Sequence, residues 1–116
     1  MRHKVEKKIL GRKKAPREAM FRNLAESLIL YGSIKTTEAK AKALRGIVEP
    51  LVTTARKNTL TARRQVLKVL YTEKAVKKLM EEVGPKYKDR QGGYTRITKL
   101  GRRSSDAAAT ARIEFV

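Results

Sequence analysis

The sequence lacks cysteine altogether and has a single histidine, His3, among its 116 residues. Without cysteine the chain can form neither a disulfide nor a thiolate metal site. One histidine, whose nearest carboxylate along the chain is that of Glu6 among lysines, supplies neither a set of metal ligands nor an oriented catalytic base. The sequence therefore predicts a protein with no metal, no cofactor, no small-molecule substrate and no enzymatic activity.

Long hydrophobic runs are also missing. No stretch approaches the roughly 20 apolar residues that span a bilayer. The basic residues 1–14 lack the apolar segment of a signal peptide. We therefore expect a cytoplasmic protein without a membrane partner.

Acidic residues are scarce, with 11 Asp and Glu against 29 Lys and Arg, and the net charge is +18. Repulsion of this size destabilises a compact protein unless an anionic partner neutralises it. For a small basic domain, that partner is by default nucleic acid. Residues 1–22 hold nine cations and two Glu, a net charge of +7, and residues 84–103 hold seven cations and one Asp, a net charge of +6. Because both regions are predicted to be mainly arm, loop or strand, they suit the uneven phosphate surface of folded RNA.

The chain divides into two predicted parts. Residues 1–14 have too few large apolar side chains to pack, so we expect an extended basic arm, followed by a single globular domain over residues 15–116. Capping residues and apolar periodicity predict four helices in this domain. These helices begin near Pro16, Thr37, Thr59 or Thr61, and Thr72, and the first and last of them end at Gly32 and at Gly84-Pro85.

Apolar side chains recur at three- and four-residue spacing in these helices, which predicts one buried face for each. In the second helix, Pro50 interrupts the stripe without shifting its phase, so we expect a kink and not two helices. In the third helix, the stripe includes Leu60 and Leu67 together with Val66 and Leu70.

The pattern changes after the fourth helix. Residues 86–93 are polar and read as a loop, residues 94–100 are rich in β-forming side chains, residues 101–106 form a turn, and residues 109–115 alternate cleanly between apolar and polar. Two strands alone are marginally stable, so the hairpin should pack on the helices, with the segment around Ile34 as a candidate third strand. The predicted class is α+β, with about four helices on a small C-terminal sheet.

The segment from Lys86 to Arg96 is the most site-like stretch. Gly92 and Gly93 allow close approach of the backbone to a phosphate, and the arginines at 90 and 96 offer bidentate donors. A tyrosine ring, from Tyr87 or Tyr94, could stack on a base or ribose. We favour this interpretation, but the alternative is that the two glycines only make the turn and Tyr94 packs in the core.

The residues predicted to contact RNA lie in the arm, in the first helix and in this C-terminal region. They are Arg2, His3, Lys4, Lys7, Lys8, Arg12, Lys13, Lys14, Arg17, Arg22, Lys86, Lys88, Arg90, Gln91, Gly92, Gly93, Tyr94, Arg96, Lys99, Arg102 and Arg103. Isolated helix lysines such as Lys40, Lys42, Lys77 and Lys78 are interpreted as solvated faces.

Several motifs resemble a known family. They are Met1-Arg2-His3, Leu10-Gly11-Arg12, Arg17, the run from Ala19 to Leu24, Ile34, Thr36-Thr37, the run from Ala39 to Lys42, the run from Asp89 to Ile97, and Ile113-Glu114-Phe115-Val116. With these motifs, essentially the whole chain resembles family seventeen of the bacterial large-subunit ribosomal proteins. The resemblance implies an α+β domain with an RNA-penetrating arm. It also implies binding to large-subunit ribosomal RNA near the exit of the peptide tunnel, beside neighbouring ribosomal proteins.

The sequence departs from the family pattern at two places. Pro16 stands where the family often has histidine, so a contact made by that imidazole is absent. Ser104-Ser105-Asp106 replaces a turn that usually carries glycine before the aspartate. If that turn needs a positive φ, then either Ser105 is strained or the turn differs.

Two other functions compete with ribosomal RNA binding. A DNA-binding or nucleoid-compacting protein would carry the same charge, and Arg63 and Arg64 on the short third helix could suggest groove entry. A basic arm could also lie on a membrane surface, but its sparse apolar residues argue against stable insertion.

Overall fold

The computed structural model describes residues 14–116. Its helices and strands follow in the order α1 (Lys14–Tyr31), β1 (Ser33–Thr37), α2 (Glu38–Ala55), α3 (Leu60–Leu67), α4 (Glu73–Lys78), a π-helical turn (Leu79–Val83), α5 (Gly84–Lys86), β2 (Thr95–Arg102) and β3 (Ala109–Phe115). The segment from α4 through the π-helical turn to α5 is continuous and corresponds to the fourth predicted helix. The predicted α+β class is therefore confirmed, whereas residues 1–13 of the predicted arm lie outside the described residues.

Helix α1 begins two residues before the predicted start, at Lys14, which therefore belongs to the helix and not to the arm. Pro16 falls in the first helical turn, where its missing N–H has no intrahelical acceptor in any case. The helix ends as predicted at Gly32, whose φ of 78° is left-handed and whose N–H donates to the Leu28 carbonyl at 2.7 Å. A glycine adopts this conformation without the penalty that a Cβ would bring.

Helix α2 is the central element, and it packs against α1, α3, α5 and all three strands. Thr37 caps it as predicted, since its Oγ1 accepts a hydrogen bond from the Lys40 N–H at 3.3 Å. Pro50 lies inside one uninterrupted helix, and Val48, two residues before it, and Leu51, one residue after it, are both buried. The proline therefore leaves the phase of the apolar stripe intact.

The predicted stripe of the third helix is right at Val66 and Leu70, which are buried, and wrong at Leu60 and Leu67. Leu60 is 64% exposed and Leu67 is 38% exposed, whereas Ala62 and Val66 are buried. At 100° per residue, Leu60 lies about 200° around the helix from Ala62. Because α3 has only two turns, its Ala62–Val66 face suffices to pack it, and the two leucines remain at the surface.

Gly84-Pro85 does not stop the fourth helix, contrary to the prediction, and helical structure continues to Lys86. The Gly84 N–H donates to the carbonyl of Leu79, five residues back, so the π-helical turn shifts the hydrogen-bond register just before the proline. Gly84 itself serves packing, because a Cβ at this position would lie 2.9 Å from the carbonyl oxygen of Ala55 in α2.

The three strands form an antiparallel sheet in the order β1-β3-β2, which confirms the segment around Ile34 as the third strand. In the register, Ile113 of β3 lies between Ile34 and Ile97. Ile113 is fully buried, and β3 packs on α2. The alternation in the last segment is thereby confirmed, with the buried Ile113 following the exposed Arg112.

The β2–β3 hairpin is longer than predicted, since β2 continues to Arg102. Its pairing with β3 is irregular between Lys99 and Gly101, and Gly101 has a φ of 102°. In the turn, the left-handed residue is Ala107, with a φ of 57°, and not Ser105. Two alternatives were open for the segment Ser104-Ser105-Asp106: a strained Ser105, or a turn that differs from that of the family. The structure has a turn in which Ser105 does not need a positive φ.

Candidate nucleic-acid interface

We use the name hairpin surface for the exposed cations of the C-terminal region. It comprises the side chains of Lys86, Lys88, Arg90, Arg96, Lys99, Arg102 and Arg103, all predicted from the sequence and all exposed. Lys86 is the last residue of α5, Lys88 and Arg90 lie in the loop after it, and the others lie on β2 and the turn after it. The β2 edge of the sheet is not covered by a further strand in the described residues.

Three of these cations are paired with acids of the chain. Arg96 lies 3.4 Å from Glu114, Lys99 lies 3.6 Å from Glu38, and Arg103 binds Asp106 with two hydrogen bonds of 2.9 Å. Such exposed pairs contribute little free energy and exchange readily for another anion. Among residues 14–116, the other four cations of the surface have no carboxylate within salt-bridge distance.

The pKa of the Asp106 carboxyl is lowered, first by the hydrogen bonds from Arg103 and then by one from the Ala108 N–H. The same pair raises the pKa of Arg103. Asp106 is therefore ionised throughout the neutral range and closes the tip of the hairpin. Its negative charge lies within the hairpin surface and partly offsets it.

The glycine pair shapes the loop before β2. Gly92 and Gly93 have φ values of 111° and 62°, which side chains other than glycine rarely adopt. The Arg90 Nε donates to the Gly92 carbonyl at 3.2 Å, so the loop folds back on itself. Gln91 and Gly93 are exposed beside Arg90. The predicted residues 90–93 are thus brought together at the surface.

Tyr94 is a correction to the predicted site, because its side chain is only 1% exposed and belongs to the core. The phenol oxygen lies 3.2 Å from Thr53 Oγ1, accepts a hydrogen bond from Arg56 at 3.1 Å and donates to the Arg90 carbonyl at 3.2 Å. Burial raises the pKa of Tyr94, but the hydrogen bonds from Thr53 and Arg56 and the charge of Arg56 outweigh it and lower the pKa overall. A ring in this position is not available to stack on RNA, so for Tyr94 the structure has the packing in the core that the alternative described. Tyr87 is buried as well.

A polar stripe on α2 fixes the loop, and the sequence reasoning missed it. The Glu49 carboxylate accepts hydrogen bonds from the Thr95 N–H and hydroxyl at 3.2 and 3.0 Å. One turn further, Thr53 contacts Tyr94, and Arg56 then donates to the Lys88 carbonyl at 3.0 Å. The spacing i, i+4, i+7 of these polar residues was the available signal, but Arg56 was interpreted only as a cation at the helix end. The stripe holds the backbone of residues 88–95 and thereby positions the loop.

A second basic surface is an open groove of about 740 Å³ between α1, α2 and the segment that joins α3 to α4. Its lining consists of Lys14, Arg17, Glu18, Phe21, Arg22, Lys42, Ala43, Gly46, Ile47, Lys68, Val69 and Tyr71. The structure thus brings together three predicted residues of the first helix. It adds Lys42, which was interpreted as solvated, and Lys68 and Tyr71, which no sequence pattern singled out.

The groove and the hairpin surface meet at Glu38. Its carboxylate lies 3.0 Å from Lys42 in the groove and 3.6 Å from Lys99 on β2. The hydrogen bond from Lys42 is the main cause that lowers the pKa of Glu38, with a smaller contribution from Lys99. The two cationic surfaces are therefore adjacent.

The remaining predicted contact residues, Arg2, His3, Lys4, Lys7, Lys8, Arg12 and Lys13, lie outside the described residues. Within residues 14–116, no group of three or more histidine, cysteine or acidic side chains is arranged to hold a metal ion. In the same part of the chain, no helix is long and apolar enough to span a bilayer.

These features define a class: a small, strongly basic α+β protein whose cations line a groove and cover a neighbouring hairpin. The comparison with family models is more specific, since the model of ribosomal protein L17 matches residues 20–116. The chain belongs to the ribosomal protein L17 family.

Curated relatives cover nearly the whole chain. A protein of Sulfurihydrogenibium named large ribosomal subunit protein bL17 is 53% identical over 117 aligned residues, which cover 100% of this chain and 97% of the relative. Proteins of the same name from Nitratidesulfovibrio vulgaris and Carboxydothermus hydrogenoformans are 52% and 51% identical. Those alignments cover 99% and 92% of this chain, and 87% and 96% of the relatives.

Proposed function

We propose that the protein binds and stabilises large-subunit ribosomal RNA as a structural constituent of the large ribosomal subunit. Membership of the ribosomal protein L17 family makes it a ribosomal component and not an enzyme. In a bacterial cell, its place of action is the ribosome in the cytoplasm. The observation that carries RNA binding is the hairpin surface, which has seven exposed cations, with Lys88 and Arg90 in a loop that α2 holds in place.

The electrostatics of this surface support the proposal. Four of its cations have no carboxylate partner among residues 14–116. The other three can exchange their carboxylate partners for phosphates with little loss of free energy, because their ion pairs are exposed. RNA phosphates provide the dense negative charge that offsets the net charge of +18. Residues 1–13 add further cations, and we propose that they act as an RNA-binding arm next to the globular domain.

Protein neighbours are part of the same proposal. Leu60 and Leu67 are exposed on one side of α3, away from the core. Exposed apolar side chains of this kind fit contact with a neighbouring ribosomal protein. We also propose a position near the exit of the peptide tunnel, which the resemblance of the sequence to the family implies.

The test is the salt dependence of binding to a large-subunit ribosomal RNA fragment. If about ten phosphates are contacted, log affinity should fall against log salt concentration with a slope of roughly −7 to −9. A slope near zero would contradict the proposal. Competition with duplex DNA separates the alternative, because displacement of structured RNA by duplex DNA at equal phosphate concentration would favour a DNA-binding protein.

A further inference from the structure

The groove holds an exposed aromatic ring, which phosphate binding alone does not require. Tyr71 is 67% exposed, although it lies beside the buried Leu70. The guanidinium carbon of Arg22 lies 4.2 Å from the centroid of its ring. This cation covers one face of the ring. Much of the rest of the ring is exposed, and Tyr71 is one of the residues that line the groove.

Tyr71 is held in this position by its two neighbours in the chain. Leu70 is fully buried, and the Thr72 N–H and hydroxyl donate to the two carboxylate oxygens of Glu26 in α1 at 3.2 and 2.9 Å. The backbone that carries the Tyr71 ring is therefore fixed in its position relative to α1. A fixed exposed ring loses little conformational entropy when a ligand stacks on it.

The part of the groove that α2 lines includes a glycine, Gly46. A Cβ at this position would meet no atom within 4 Å. A glycine inside a helix is less stable than alanine, so the stability of α2 does not explain it. Its effect is to leave space in the groove. The groove is also lined by the apolar side chains of Phe21, Ile47 and Val69, which we call the apolar floor.

Cations surround this apolar floor. Lys14, Arg17, Arg22, Lys42 and Lys68 line the groove, and Glu18 is the one acid among the lining residues. Apart from Lys42, which pairs with Glu38, none of these cations has a carboxylate within salt-bridge distance in the described part of the chain. Positive charge around an aromatic and apolar floor is the arrangement that binds single-stranded nucleic acid.

We propose that this groove binds an unpaired nucleotide of RNA. The base stacks on the open face of Tyr71, above the apolar floor, and the flanking phosphates contact Lys14, Arg17 and Lys68. A groove of about 740 Å³ has room for such a ligand. The inference rests on the proposed function and deepens it, because it assigns base stacking to the groove and phosphate binding to the hairpin surface.

The test uses the full-length chain and a six-nucleotide single-stranded RNA that contains 2-aminopurine, whose fluorescence reports stacking. Tyr71→Ala should weaken binding about 5- to 100-fold and abolish the stacking signal. Tyr71→Phe keeps the ring and should bind like the wild type. Tyr31→Ala is the matched control, because Tyr31 is 77% exposed at the end of α1 and does not line the groove.

Gly46 provides a second, steric test. Gly46→Ala should leave affinity for the hexamer close to that of the wild type and raise the midpoint of thermal unfolding, because its methyl group meets nothing. Gly46→Leu extends a larger side chain into the groove and should weaken binding without lowering that midpoint. Thermal unfolding of both variants separates obstruction of the groove from loss of the fold.

Three outcomes would overturn the inference. Equal affinities of the wild type and Tyr71→Ala for the hexamer, with hairpin variants still impaired on ribosomal RNA, would remove the groove site and leave the proposed function standing. Equal loss in Tyr71→Phe and Tyr71→Ala would exclude stacking. Binding of a polyglutamate peptide with the same dependence on Tyr71 and at higher affinity would assign the groove to an acidic protein.

Discussion

The hairpin surface and the groove are both strongly basic, but they differ in what lies beneath the charge. On the hairpin surface, all the cations except Lys86 lie in loops or on a strand, and the nearby rings of Tyr87 and Tyr94 are buried. In the groove, the cations surround apolar side chains and the open ring of Tyr71. The first surface can therefore offer charge and hydrogen bonds, whereas the second can also stack on a base. Net charge alone does not distinguish these two modes of binding.

The two surfaces also differ in how they are held in place. The hairpin surface depends on a long-range polar network, in which α2 reaches residues 88–95 through Glu49, Thr53 and Arg56. The groove depends on apolar packing of α1 and α2 and on the bond between Glu26 and Thr72. Substitutions can therefore weaken one surface and spare the other.

The largest expected effect comes from removing cations of the hairpin surface. Replacing Lys88, Arg90 and Arg102 by alanine should lower affinity for a ribosomal RNA fragment by on the order of 100-fold at 0.1 M salt and make the salt slope less steep by roughly three. Binding of the single-stranded hexamer in the groove should change little. Filter binding across a salt series measures both quantities.

The control for that triple variant removes cations elsewhere. Lys74 and Lys77 are exposed on α4 and belong to neither surface. Their replacement by alanine should leave the slope on ribosomal RNA nearly unchanged. If this control loses as much affinity as the triple variant, then total charge and not its placement governs binding, and the comparison of the two surfaces fails.

An intermediate effect is expected for Arg56→Ala, which removes the donors to Tyr94 and to the Lys88 carbonyl. Loss of these charge-assisted hydrogen bonds should lower the free energy of unfolding by about 2 kcal/mol. It should also weaken ribosomal RNA binding, because the loop is no longer held against α2. Urea denaturation and RNA titration of the same variant measure the two effects.

Arg56→Lys sharpens this test, because it keeps the charge but not the two-pronged geometry of the guanidinium. We expect it to resemble the alanine variant in stability more than the wild type. Full stability of Arg56→Lys would mean that only the charge matters. Hexamer binding should remain normal in both variants, since Arg56 does not line the groove.

The smallest effect is expected at the tip of the hairpin. Because the pKa of Asp106 is lowered in the folded protein, its pair with Arg103 stabilises the fold above the carboxyl's ordinary pKa, and this contribution is lost as pH falls through the lowered value. Asp106→Asn should remove this pH dependence below neutrality. It should also slightly tighten ribosomal RNA binding near pH 7, since it removes a negative charge from the hairpin surface. Acid titration of stability and RNA titration at pH 7 test both parts, and weaker binding of the variant would show that the turn and not the charge matters.

Local chemistry in the sequence determined much of this protein. The caps at Thr37 and Gly32, the alternation in β3 and the location of the positive charge all depend on neighbours a few residues apart, and so they could be predicted. The α+β class and the cations of the hairpin surface follow from these local patterns. Family membership was also visible in contiguous motifs.

Only the tertiary structure decided the features that join distant segments. The burial of Tyr94 depends on Thr53 and Arg56, about forty residues earlier in the chain. The groove combines residues 14–22, 42–47 and 68–71. From the sequence alone, Gly84 is interpreted as the end of a helix. Only the structure shows that the Ala55 carbonyl of α2 leaves no space for a Cβ at this position. Close packing fixes such contacts, and the spacing of residues along one helix or strand does not record which other element will lie against it.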